Sequence, residues 1–155
     1  MNNFIPKRHI VSSQQLLKAT PEEVFPLLCP KREYEWIPTW DCEIIYSKSG
    51  FAELDCIFIT NFNNWKETWV VDKYEKNKEI QFIIFSENRI IRYSISLTDN
   101  NNETTAAVWE QTITSLNEDG NLYLENYDNN NFSTRIKTLE TLLNHFLQTG
   151  EMLKT

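Results

Sequence analysis

The sequence predicts an α+β domain in which a curved antiparallel sheet of about seven strands wraps a long C-terminal helix. Three observations carry this prediction. Apolar residues recur with a period of two between Asp41 and Ser115, the links between those segments are short, and one wide apolar stripe at helical spacing follows them. Short links exclude parallel crossovers, so the strands must form a meander.

Taken in order, Arg8 to Ala19 reads as a first strand, interrupted by the polar run Ser12-Ser13-Gln14-Gln15. Thr20-Pro21-Glu22-Glu23 then carries a helix start: Thr20 at the N-cap, Pro21 at the first helical position and Glu23 closing a capping box. Val24, Phe25, Leu27 and Leu28 supply its apolar face, and Pro30 ends it. A second short helix is expected over Lys31 to Trp36, stopped by Pro38.

Six strands follow: Asp41–Ser47, Phe51–Thr60, Trp65–Tyr74, Glu79–Ser86, Arg89–Thr98 and Thr104–Ser115. Lys48-Ser49-Gly50, Asn61-Phe62-Asn63-Asn64, Lys76-Asn77-Lys78, Glu87-Asn88 and Asp99 to Asn102 supply the turns. Alternation points Leu54, Cys56 and Phe58 inward, with Ile80, Phe82 and Ile84, and with Ile91, Tyr93, Ile95 and Leu97. Trp109, Gln111 and Ile113 face the same way. The Trp65–Tyr74 strand is ambiguous, because Trp69 and Val71 compete with Val70 and Tyr74. Asn117 to Asn131 is polar and reads as loop, with a turn at Asp119-Gly120-Asn121. A helix from about Phe132 to Met152 carries Phe132, Ile136, Leu139, Leu143, Phe146 and Leu147 on one face, and is the element long enough to cover the sheet.

Composition bounds the function. A chain of 155 residues is one ordinary domain, here 1–155, with no repeat or linker. The net charge of −7 argues against nucleic acid, which demands a Lys/Arg surplus on one face. Cys29, Cys42 and Cys56 form no C-x-x-C pair, the start Met1-Asn2-Asn3-Phe4 lacks a basic and apolar leader, and no apolar run is long enough to span a bilayer. The expectation is a cytoplasmic protein with small, buried, inert thiols and no stable membrane insertion, as monomer or homodimer.

The order strand, two short helices, six-strand meander and long final helix resembles the helix-grip fold of the START-like, or SRPBCC, superfamily. The resemblance covers nearly the whole chain. The segment TPEEVFPLLC from Thr20 to Cys29 is similar to the family's "(T/S)-P-E-x-V-(F/W)" helix after the first strand. Cys29 to Asp41 resembles the following short helix, with Trp36 and Trp40 where large apolar residues are usual, and Trp69 to Phe82 resembles a mid-sheet strand and turn, although Lys76-Asn77 stands where proline is common.

This resemblance implies an apolar cavity between sheet and helix, and five Trp, nine Phe and six Tyr are a surplus of large rings to line it. The candidate ligand-binding residues are Trp36 and Trp40 at the mouth; Phe58, Trp69, Phe82, Tyr93, Trp109 and Gln111 on the sheet; and Leu139 and Phe146 on the helix. The competing reading is a close-packed core. Glu33, Glu35 and Asp41 flank the mouth, where a desolvated acid or a solvated surface carboxylate are both open. Arg89, sharing the inward parity of Ile91, fits a ligand anchor or a rim salt bridge.

His9 and His145 stand far apart with no nucleophile beside them, no metal spacing or G-x-S-x-G occurs, and no cofactor is called for. The leading expectation is therefore binding or carriage of a small hydrophobic molecule such as a lipid, polyketide or aromatic metabolite. A cyclase- or hydrolase-type enzyme in the same cavity and a protein-interaction module resembling chaperone-ATPase activators are the alternatives.

Overall fold

A computed structural model describes residues 3–154. Seven strands form one antiparallel sheet: β1 (Arg8–Leu17), β2 (Glu43–Tyr46), β3 (Ile57–Phe62), β4 (Trp65–Glu75), β5 (Glu79–Phe85), β6 (Arg89–Asp99) and β7 (Thr105–Ser115), in the order β1-β7-β6-β5-β4-β3-β2. Three helices accompany it: α1 (Pro21–Val24), α2 (Glu118–Glu125) and α3 (Asn129–Thr149). The strands from β2 to β7 are the expected meander, and β1 adds to the far edge by pairing with β7.

Turn chemistry explains the links. Asn63 and Asn64 both adopt left-handed φ, 52° and 63°, as a two-residue I′ hairpin turn between β3 and β4 requires. Alternation then sorts each strand: Phe58, Ile80, Phe82, Ile84, Tyr93 and Trp109 are all buried on the concave face.

The ambiguity in β4 has a structural origin. Pairing with β5 runs Val71 to Phe82, then Lys73 to Gln81 and Tyr74 to Ile80, so a bulge at Asp72 inserts one residue. Trp69 and Val71 face inward before the bulge, and Tyr74 returns to that side after it, meeting the Phe25 ring at 5.3 Å. Both parities were present because the strand changes face.

Four segments differ from expectation. Residues 51–56 are not strand: the Glu53 carboxylate accepts the N–H groups of Lys48 and Ser49 at 2.9 and 2.8 Å, and Asp55 is left-handed at φ 69°. Leu54, expected inward, is consequently 54% exposed, whereas Cys56 is fully buried. The first helix is a single α turn continued as a 3-10 turn over Phe25–Leu27, since Pro26 has no N–H to extend the ladder. The Thr20 hydroxyl donates to the Glu23 carboxylate at 3.3 Å instead of capping a backbone amide, so a side chain-to-side chain bond stands in place of the expected capping box. The second helix shrinks to a 3-10 turn at Glu33–Glu35.

The polar stretch after β7 contains α2, whose N-cap Asn117 accepts the Gly120 N–H at 3.0 Å. Gly120 sits where a Cβ would lie 2.1 Å from the Asn88 carbonyl oxygen, so only glycine lets α2 close onto the β5–β6 turn. Helix α3 starts three residues before Phe132, where the Asp128 side chain accepts the Asn130 N–H, and stops at Gly150, left-handed at φ 73°.

The helix docks along the sheet's edge more than across its middle. Gln15 on β1 donates to the Ile136 carbonyl at 2.8 Å, and Ile136 and Leu143 are fully buried. With α3 held at β1, the concave surface of β3 to β6 is left to be covered by the 31–42 segment. Trp36 anchors that segment by donating to the Leu27 carbonyl at 2.9 Å, and Trp40 by donating to the Pro30 carbonyl at 2.7 Å.

Candidate functional site

Because helix and segment cover the sheet from opposite sides, space remains between them. Two adjacent chambers fill it, of about 500 Å³ and about 470 Å³, within the range of small-molecule sites. They share Trp40, Phe62, Trp69, Tyr93 and Arg135 as common wall.

The inner chamber is largely apolar: Phe82, Ile95 and Trp109 rise from the sheet, and Leu139 and Leu142 descend from α3. The outer chamber, toward α2, is polar and aromatic. Trp65, Arg89, Gln111, Tyr123 and Tyr127 stand around it. A ladder of rings backs both, with Phe58 stacked on Trp69 at 5.2 Å and Trp69 edge-on to Phe82 at 5.4 Å.

Of the ten residues singled out in the sequence, Trp40, Trp69, Phe82, Tyr93, Trp109, Gln111 and Leu139 line a chamber. Trp36, Phe58 and Phe146 do not. Trp36 has no exposed surface and belongs to the core, Phe58 lies behind Trp69, and Phe146 packs on the core from the helix flank. Parity identifies the inward face of a strand but not which inward ring stands in front of another.

The polar groups follow from the same geometry. Glu33, on the 3-10 turn, lines the inner chamber, and burial pushes its carboxyl from 4.5 up to about 8 against the opposing pull of Arg135. Among the described residues no ion pair within 4 Å joins the two. Glu35 instead pairs with Arg32, and Asp41 accepts from the Tyr34 hydroxyl at 3.2 Å, so both serve the segment's own shape. Burial also raises the phenol of Tyr93, with the Arg135 charge acting to lower it.

Arg89 is buried, and among the described residues it has no salt bridge. It is 8% accessible, stacks its guanidinium 3.7 Å from the Tyr123 ring centre and 4.5 Å from that of Trp65, and donates to the Asn88 side chain at 2.8 Å. Arg135 escaped sequence reading because helical spacing marked only its apolar neighbours Phe132 and Leu139, three residues before and four after it.

His9 bonds Asn129 at 2.7 Å outside the chambers. The three cysteines are free; Cys29 and Cys56 are buried, with burial raising the Cys56 thiol to about 11, whereas Cys42, expected buried, is half-buried on the segment before β2. Among the described residues no helix is long and apolar enough to cross a membrane.

Comparison with known proteins agrees with this architecture. No family model and no curated protein matches the chain. Among solved structures it is similar to truncated norcoclaurine synthase from Thalictrum flavum, with 9% identity, a TM-score of 0.67, and coverage of 92% of this chain and 98% of that one. Major latex-like protein 151 from Panax ginseng matches with 14% identity, a TM-score of 0.65, and coverage of 89% and 96%. DynU16, of the dynemicin biosynthetic locus, matches with 14% identity and a TM-score of 0.63 over 92% of this chain and 48% of its own. The chain thus has the same helix-grip fold as these structures.

Proposed function

We propose that this protein binds and carries a small hydrophobic molecule, a lipid, polyketide or aromatic metabolite, in the chambers between the sheet and α3. The observation that carries the reading is the inner chamber of about 500 Å³ walled by Trp69, Phe82, Trp109, Leu139 and Leu142. Removing apolar ligand surface from water there yields roughly 25 cal/mol per Å² before the costs of association. The norcoclaurine synthase and major latex-like neighbours share the scaffold, which is compatible with such a ligand. The proposed setting is the cytoplasm, the proposed unit the single domain 1–155.

Native mass spectrometry of the purified protein tests this by revealing a retained ligand, and Nile red titration tests it without one. Uptake of the dye, competed by apolar molecules, is the expected result. A protein that retains nothing and excludes the dye overturns the reading.

A second reading is favoured by Glu33. A carboxyl that titrates near 8 inside a cavity, facing the same space as Tyr93, has the protonation state a general acid needs. An enzyme of the cyclase or hydrolase class would use it, and Glu33→Gln would then abolish turnover while leaving dye uptake intact. A filled core with an exposed apolar patch would favour the interaction-module alternative, and the open chambers weigh against it.

A further inference from the structure

Three buried side-chain nitrogen and oxygen atoms have no hydrogen-bond partner among the described residues: Trp65 Nε1, Arg89 Nε and Tyr93 Oη. All three residues line the outer chamber. An unpartnered buried polar atom is costly, and such atoms are few in folded proteins. Three converging on one chamber mark a place built for a group the chain itself does not supply.

The chemistry of the three is one-sided. The indole and guanidinium N–H groups can only donate, and the Tyr93 phenol stays protonated in its buried setting, so it too can donate. Arg89 carries its charge nine-tenths buried, clamped against the Trp65 and Tyr123 rings and tied to Asn88, with no carboxylate within ion-pair distance among the described residues. A buried cation without a counter-ion is stable only when another group completes it.

Asp128 and Glu67 line the outer chamber, as does Arg135. Asp128 is exposed and spends an oxygen on the Asn130 N–H at the start of α3. Glu67 is half-buried and opposes an incoming anion. The inner chamber, by contrast, has Glu33 as the single carboxyl on its wall, largely uncharged near neutral pH.

We infer that the ligand is an amphipathic carboxylic acid, held with its carboxylate in the outer chamber on Arg89 and Trp65 and its apolar body among Phe82, Trp109 and Leu139. This rests on the carrier reading and adds ligand class and orientation to it. The five shared wall residues form the passage along which such a molecule lies. Charge-assisted hydrogen bonds are the strong ones, so the head sets selectivity while the body sets baseline affinity.

Isothermal calorimetry with one ten-carbon chain bearing three heads, decanoate, decanol and decylamine, tests the assignment below their aggregation concentrations. Decanoate is expected to bind tightest, about ten- to a hundredfold over decylamine. Arg89→Gln is expected to erase that preference, weakening decanoate about tenfold more than decanol, and Trp65→Phe, which keeps the ring and deletes the N–H, to weaken decanoate several-fold. Trp65→Phe carries the test if Arg89→Gln does not fold. Glu67→Gln is expected to tighten decanoate.

Equal binding of all three heads overturns the inference and leaves the carrier reading standing. Loss of preference on Arg135→Gln but not on Arg89→Gln moves the head to the shared wall and overturns it equally. Binding of none of the three, with Nile red excluded, overturns both.

Discussion

Gln15 and Trp109 form the joint that fixes α3 over the sheet: the Gln15 side-chain oxygen accepts the Trp109 indole N–H at 2.8 Å, while its nitrogen donates to the Ile136 carbonyl at 2.8 Å. Both residues are buried, at 3% and 4% accessibility, so neither bond has water to replace it. Gln15→Leu strands two buried polar groups at once and is expected to cost about 2–4 kcal/mol, read as a lowered urea midpoint. A change under about 0.5 kcal/mol would show that the joint is not structural.

Leu139 stands at the border of the buried core, with its side chain on the wall of the inner chamber. Leu139→Trp is expected to fill that space, reducing Nile red uptake about tenfold or more while shifting the unfolding midpoint little. Ile136→Ala, one turn away and fully buried, is expected to do the reverse, costing about 2–5 kcal/mol through a new void. Equal loss of stability in both would mean that the chamber does not persist in solution.

Glu33 gives the protein a pH dependence of definite sign. Its folded value near 8 lies above the ordinary 4.5, so between those limits the folded state holds a proton that the unfolded state has released. Its effect is absent below about 4.5, lowers stability progressively as pH rises to about 8, and is constant above. Glu33→Gln is expected to flatten that fall and to unfold at higher denaturant than the parent at pH 8.5. The side chain keeps partial accessibility, which makes the difference smaller than the full shift implies. A parent whose Glu33-dependent stability rises over this window contradicts the burial described.

Gly120 predicts a steric effect. A methyl group there meets backbone, the Asn88 carbonyl, and also the Ser115 Cβ at 2.9 Å. Gly120→Ala is expected to push α2 off the β5–β6 turn at a cost of about 1–3 kcal/mol, in spite of alanine's better helix propensity. A thermal scan showing stabilisation would refute the close approach.

Sequence reading reached the sheet because period two and turn residues are local properties. It reached the concave lining of β5, β6 and β7 for the same reason. It failed where one residue acts through space. The bulge at Asp72 reverses parity by a backbone choice that no side chain announces. Helix α2 hid behind Asp119-Gly120-Asn121, a run whose turn-forming character is overridden by contact with Asn88 and by the buried Asn121, which donates to the Ile5 carbonyl at 3.0 Å. Glu53 falls inside the strand expected over Phe51–Thr60, yet it gathers Lys48 and Ser49 into a loop and is held at about 2, first by the Ser49 side chain and then by those backbone bonds. The polar wall of the site was the least legible part: Arg135 and Tyr123 lie in segments whose partners arrive only once α2 and α3 fold back.

The docking of α3 on β1 has a consequence for how this molecule keeps company with copies of itself. At the C-terminal end of β1 the outward backbone groups are taken up by α3: Leu16 N–H and Lys18 N–H donate to Glu140 and Asn144, and the carbonyls of Gln14 and Leu16 accept from Lys137 and Asn144. At the opposite border β2 offers four residues with a break in register. An extended border strand is the template on which one chain stacks upon the next into fibres. Here side chains of α3 occupy the Gln14–Lys18 end of one border, and the other border is short and irregular, so each offers a further strand less to copy than a long, bare edge would.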